Sequence, residues 1–115
     1  PYVTFITYFF HGSALLCPMA INRSKINKAA SVLKVISHPT RLEILMHLEA
    51  KKTLTVSQLC TRLDVEQSLV SHHLAAMRRR GVLKSTRDGI NISYEILDPI
   101  VLDIINQVFR SKLMK

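Results

Sequence analysis

Cysteine, glycine and aromatic residues are scarce in this chain, and each scarcity excludes a class of protein. Cys17 and Cys60 are the only cysteines among 115 residues. They form no CxxC or CxC pairing and are too few to staple a secreted scaffold, so a reducing cytoplasm is expected. Three glycines leave no Gly-rich phosphate loop. No nucleophile, base and orienting residue stand in a recognisable arrangement either, so an enzyme is not expected. Beyond Phe10 the aromatic residues are Tyr94 and Phe109 alone. Proteins that hold single-stranded nucleic acid usually stack its bases on aromatic faces, so that class is disfavoured. Charge is absent from one whole stretch, since no Lys, Arg, Asp or Glu precedes Arg23.

That gap divides the chain into an apolar N-terminal extension, residues 1–22, and a charged domain, residues 23–115. A membrane span or signal peptide is disfavoured because no basic region precedes the apolar run, and His11, Gly12, Ser13 and Pro18 interrupt it. Two readings of the extension stand side by side. Met19-Ala20-Ile21-Asn22-Arg23 looks like an ordinary bacterial amino terminus, which would make residues 1–18 upstream sequence. Alternatively the segment packs against the domain or across a dimer. The length allows one compact domain with one core. Sixteen Lys and Arg against eight Asp and Glu give a net charge of +8, which favours a polyanionic partner. With so few aromatics, that partner is expected to be duplex DNA.

The domain opens as a helix. Ile26, Ala30, Leu33 and Ile36 recur at the spacing of one buried face, with Ser24 as N-cap and an end near Ser37. Pro39 suits the first position of a second helix running to Ala50, with Leu42, Leu45, Met46 and Leu48 as its apolar stripe. Thr55 or its neighbour caps a third helix containing Val56, Leu59, Cys60 and Leu63, and Asp64 tolerates the left-handed geometry of a tight turn. A fourth helix, from Gln67 to Arg80, is closed by Gly81. The last two helices have helix-turn-helix spacing. Residues 82–97 change to β-formers arranged around Asp88-Gly89, a hairpin signal. Asp98-Pro99 then opens a final helix in which Ile100, Ile104 and Val108 form one row and Val101, Ile105 and Phe109 the next. A stripe this wide on a terminal helix reads as a dimerisation surface. The expected fold is mainly α with a small β-hairpin wing: a winged helix-turn-helix, dimeric through its terminal helices.

On the fourth helix, Val70, His73, Leu74 and Met77 share one side, and Ser68, Ser71, His72, Ala75 and Arg79 share the other. The second side is small, polar and basic, as a helix entering a major groove requires. Gln67, Ser68, Ser71 and His72 are the candidate base-reading residues. Arg78, Arg79, Lys84 and Arg87 are placed to meet phosphates on either side.

These residues also resemble a known family. HPTRLEIL at 38–45, QSLVSHHLAAMRRRGVL at 67–83 and the RDG hairpin at 87–89 are similar to the ArsR/SmtB winged-helix repressors, over about residues 25–112. The resemblance implies a cytoplasmic homodimer, operator binding through Ser68, Ser71 and His72, and release of DNA when a signal is sensed; the residues themselves specify no inducer. The family's thiolate site puts a CxC motif where this chain has Thr55-Val56-Ser57. Residues 98–115 contain no histidine, so Asp98 and Asp103 make a poor transition-metal site, and His38 and His47 are spaced too far apart on one helix to share an ion. No metal or other cofactor is expected. Cys17 and Cys60 are a candidate redox pair, set against the reading of Cys60 as a small core hydrophobe beside Leu59 and Leu63. The alternative function is a winged-helix module that binds a protein instead of DNA. Loss of basic residues from the fourth helix would favour it, and the opposite is seen.

Overall fold

The computed structural model describes residues 21–115. The extension up to residue 20, with Met19 and Cys17, lies outside the described residues. Two compact units divide the chain, residues 1–31 and 32–115, and the core and site described below belong to the second. The element order is α1 (Arg23–Ile36), α2 (Pro39–Lys51), β1 (Leu54–Thr55), α3 (Val56–Leu63), α4 (Gln67–Arg79), β2 (Leu83–Asp88), β3 (Asn91–Ile96) and α5 (Ile100–Arg110), followed by a 3₁₀ turn at Lys112–Met114. No described helix is long and apolar enough to cross a membrane.

Local chemistry sets the helix ends. Asn22, not Ser24, caps α1: its Oδ1 accepts the Lys25 N–H at 3.0 Å. His38 is extended before α2, and its Nδ1 accepts the Thr40 N–H at 3.1 Å, while Pro39 takes a first-turn position where no N–H is needed. At α3 the Thr55 hydroxyl accepts from the Gln58 backbone N–H at 3.1 Å and the Gln58 side-chain Oε1 accepts from the Thr55 N–H at 2.9 Å. This reciprocal pair satisfies two orphan donors and fixes where the helix begins. Asp64 closes α3 in the left-handed region at φ 55°. Gly81, at φ 87°, closes α4: its N–H donates to Arg78 O and Val82 N–H to Met77 O, each at 3.0 Å. This double closure needs the left-handed residue that glycine supplies most cheaply.

The core gathers Ile44, Leu45 and Leu48 of α2, Leu59 of α3, Val70, Leu74 and Met77 of α4, and Val101 and Ile105 of α5. The predicted α2 stripe is rotated: Ile44 is fully buried, whereas Leu42 and Met46 are half-buried. Cys60 is also half-buried against the core. On α1 only Ile36 is buried; Ile26, Ala30 and Leu33, expected to share its buried face, are exposed.

The sheet is three-stranded, in the order β1-β3-β2, and antiparallel throughout. The hairpin turns one residue later than its Asp88-Gly89 signal suggests. Asp88 pairs with Asn91, leaving Gly89 and Ile90 as the loop. This register sets buried Leu83 opposite Ile96; a turn one residue earlier would set Ile96 opposite Gly81, which has no side chain to pack against it.

Candidate nucleic-acid interface

The α4 helix lies with Val70, His73, Leu74 and Met77 buried. Gln67, Ser68, His72, Arg78 and Arg79 are exposed, while Ser71 is half-buried. The inward side is the one the apolar spacing predicts. Leu69 is exposed beside the polar face, a position that the wheel alone did not single out. Glu66 precedes the helix and makes no capping bond; its carboxylate accepts from the Ser68 hydroxyl at 2.8 Å instead. Arg78 and Arg79 fall in the last turn, where cations complement the helix dipole.

One buried polar contact fixes the rotation of α4. His73 is 5 % exposed, and its Nδ1 accepts the Arg41 Nε–H at 3.0 Å. The same guanidinium donates through Nη1 to the Val35 carbonyl at 2.8 Å. The His38 ring lies 4.5 Å from that of His73, and the His72 ring 5.5 Å. Burial, then the neighbouring His38, Arg41 and His72, hold the His73 pKa below its ordinary value. His73 is therefore neutral near pH 7, with its proton on Nε2, since Nδ1 is taken as an acceptor.

The hairpin stands beside α4. Thr55, Ser57, Gln67, Ile90 and Ile92 share one cleft, so the wing tip lies next to the first residue of α4. Arg87 is exposed and pairs in register with Ile92. Directly opposed antiparallel residues share a face of the sheet, so Arg87 is on the α4 side of the wing. Lys84 is exposed as well, with its Nζ 3.9 Å from Glu95 Oε1. The structure therefore leaves Gln67, Ser68, His72 and Arg79 exposed on α4 and Arg87 exposed on the wing, with Ser71 set deeper and Lys84 partly matched by an acid.

The predicted dimer residues separate into two sets. Val101 and Ile105 lie in the core of the protomer itself and are not available to a partner. Ile100, Val108 and Phe109 are exposed and Ile104 half-buried. Leu33, Leu42, Ile104, Val108 and Phe109 line an apolar groove of about 250 Å³. Among the described residues no cluster of three or more His, Cys, Asp or Glu side chains could hold a metal ion.

Comparison with known proteins gives the same arrangement a lineage. A family model described as bacterial regulatory protein, arsR family, matches residues 38–85, from the α2 N-cap into the first wing strand. The transcriptional repressor PagR of Bacillus anthracis is 45 % identical over 76 residues, 66 % of this chain and 76 % of PagR. Its crystal structure superposes with a TM-score of 0.67 at 39 % identity, covering 76 % of this chain and 99 % of that one. HlyU of Vibrio cholerae gives a TM-score of 0.69 at 30 % identity, over 77 % of this chain and 96 % of its own. A homodimeric winged helix-turn-helix DNA-binding domain from Mycobacterium bovis, solved in solution, gives 0.66 at 25 % identity, over 74 % and 78 % of the two chains. The family is one of regulators and not of enzymes, and this chain, a winged helix-turn-helix, belongs to it: it is a member of the ArsR family of bacterial regulatory proteins.

Proposed function

We propose that this protein is a cytoplasmic, homodimeric transcriptional regulator that binds a double-stranded operator sequence-specifically and represses from it. The observation that carries the reading is the division of α4. Its apolar side is consumed by the core, and its outward side offers hydrogen-bonding groups of modest size at Ser68 and His72. That is what a helix needs to approach base edges in a major groove. Gln67 and the deeper Ser71 extend the reading set. Arg78, Arg79, Lys84 and Arg87 supply phosphate contacts that fix register without carrying sequence information. Repression is supported by PagR, which is named a repressor. Pairing is supported by the open groove at Ile104, Val108 and Phe109, together with Ile100, and by the homodimeric Mycobacterium bovis domain. Two protomers related by a two-fold axis would present two α4 helices to a palindromic site.

The test is a fluorescence-anisotropy titration of duplex fragments from the gene's own upstream region against unrelated duplex. The wild type binds one fragment selectively. Ser71→Ala with His72→Ala lowers that affinity about tenfold or more while leaving unrelated duplex nearly unchanged, because base contacts specify and phosphate contacts do not. Equal losses on both duplexes would remove α4 from base reading. A folded dimer with no selectivity would favour a protein partner.

A further inference from the structure

We propose that Arg41 is a positioning residue for DNA reading: it ties the last turn of α1 to α4 through uncharged His73, and operator selection fails in acid when that tie breaks, before the fold does. The inference rests on the DNA reading above and adds to it a control on the same helix.

Three elements meet on one guanidinium. α1 ends at Ile36, so the Val35 carbonyl is among the last-turn acceptors that a helix leaves without a donor of its own. Arg41 Nη1 supplies one at 2.8 Å, and Arg41 Nε donates to His73 Nδ1 at 3.0 Å. The guanidinium plane holds its donors in a fixed fork, so the two bonds set α1 and α4 against α2 at once. The other inward residues of α4, Val70, Leu74 and Met77, are apolar. Burial of apolar area has no direction, whereas a hydrogen bond weakens steeply off line. The rotation of α4 therefore depends on the His73 contact more than on the rest of its buried side.

Both ends of the tie reach surfaces that the DNA reading uses. His72, the preceding residue, is exposed, with its ring 5.5 Å from that of His73, so a rotation fixed at His73 is handed to it directly. Leu33 and Ile36, which flank Val35, line the groove proposed for pairing. Two half-sites are read together only when both α4 helices keep their spacing in the dimer. Arg41 stands between that groove and α4.

The tie needs the lone pair on Nδ1. A second proton on the ring makes Nδ1 a donor and sets a cation against the guanidinium. The groups that act on His73 are His38 at the α2 cap, Arg41 of α2 and His72 of α4, none of which brings negative charge. α1 contributes the Val35 carbonyl, which is taken by Arg41. A charged ring is relieved when α4 turns it toward water, a movement that leaves the strand pairing and the packing of α2 on α5 in place.

The experiment uses the full chain, an operator duplex that the wild type selects at pH 7.5 and an unrelated duplex of the same length. Both are titrated by anisotropy from pH 7.5 to 5 at one salt concentration, with far-UV circular dichroism at each pH. Protonation adds positive charge, which by itself favours every duplex alike. The wild type should nevertheless lose selectivity below about pH 6.5, by about fivefold or more at pH 5, within the roughly tenfold per pH unit that one proton can account for. Its helical signal and its hold on unrelated duplex should persist. His73→Gln keeps an uncharged acceptor at every pH and should hold its selectivity level. Arg41→Met should show at pH 7.5 the low selectivity that the wild type reaches at pH 5. A flat wild-type profile, an undiminished fall in His73→Gln, full selectivity in folded Arg41→Met, or a fall that tracks loss of helical signal would each overturn the proposal and leave the DNA reading intact. A wild type that selects no duplex at pH 7.5 would instead overturn the DNA reading, and this inference with it.

Discussion

The Nε–H of Arg41 points at Nδ1 of His73 over 3.0 Å, so a helix-borne cation and a buried imidazole are held together by the imidazole's lone pair. Protonating His73 would remove the acceptor and set two cations in contact, with His38 and His72 adjacent. The folded state therefore resists that proton, in line with the lowered pKa. Above about pH 6.5 His73 is neutral in both folded and unfolded chains, and its titration leaves stability unchanged. As pH falls below that value the unfolded chain takes up a proton that the folded one refuses, and stability is lost until the lower folded pKa is reached. Urea denaturation between pH 7.5 and 5 should show this decline. It should be shallower in His73→Gln, and an equal slope in both would place the acid sensitivity elsewhere. Arg41→Met leaves Nδ1 and the Val35 carbonyl without their donor and should cost about 1–3 kcal/mol at pH 7.

The proposed phosphate contacts at the end of α4 and on the wing should differ in weight. Arg79→Ala and Arg87→Ala should each reduce the slope of log affinity against log salt by about 1, on every duplex tested. Lys84, already facing Glu95 at 3.9 Å, should reduce it less. Glu95→Gln should raise affinity at low salt. A Lys84 effect as large as that of Arg79 would show that the ion pair does not survive on DNA.

The division of α5 makes the proposed interface testable against the core. A charge at half-buried Ile104, or at Phe109, 46 % exposed, should yield a folded monomer in sedimentation. The same charge at buried Ile105 should unfold the protomer, as an unpaired core charge does. A dimer that survives Ile104→Glu with Phe109→Glu would move the interface off this groove.

Lys52 offers a gain in stability. Its φ of 69° and ψ of −56°, with Thr53 N–H donating to Lys51 O at 2.7 Å, describe a three-residue turn of the strained hand. Lys52→Gly should stabilise the fold by about 1 kcal/mol, read as a rise in the chemical-denaturation midpoint; a fall would mean that the strain is carried elsewhere.

What the sequence made legible follows from how local each signal is. Pro39, Thr55, Asp64 and Gly81 each mark a boundary through backbone chemistry within a few residues, and the helix-turn-helix could be placed from them. The inward side of α4 was legible because Val70, His73, Leu74 and Met77 meet the helical period in full. The strand at Leu54–Thr55 was not, since two residues show no period and its partners at Tyr94 and Ser93 lie far along the chain. Nor was the contact between Arg41 and His73, which joins two helices through side chains that look like surface and core residues respectively. The exposed face of α1 misled because apolar spacing states that a face will be covered, without stating by what. Leu69 was overlooked because its exposure beside a polar face shows only in the folded arrangement, and Ile90, a β-former by type, falls in the hairpin loop because Asp88 pairs with Asn91.

The sheet order β1-β3-β2 sets a condition on synthesis. The strand made last, Asn91–Ile96, is the one in the middle, and neither earlier strand has a sheet partner until it arrives. A chain terminated early, even one that contains every residue of α3 and α4, would have an untethered entry to the helix-turn-helix and no wing. Such fragments should not compete with the finished protein for the same target, so mutations that truncate the chain before the third strand should behave as simple losses and not as dominant inhibitors.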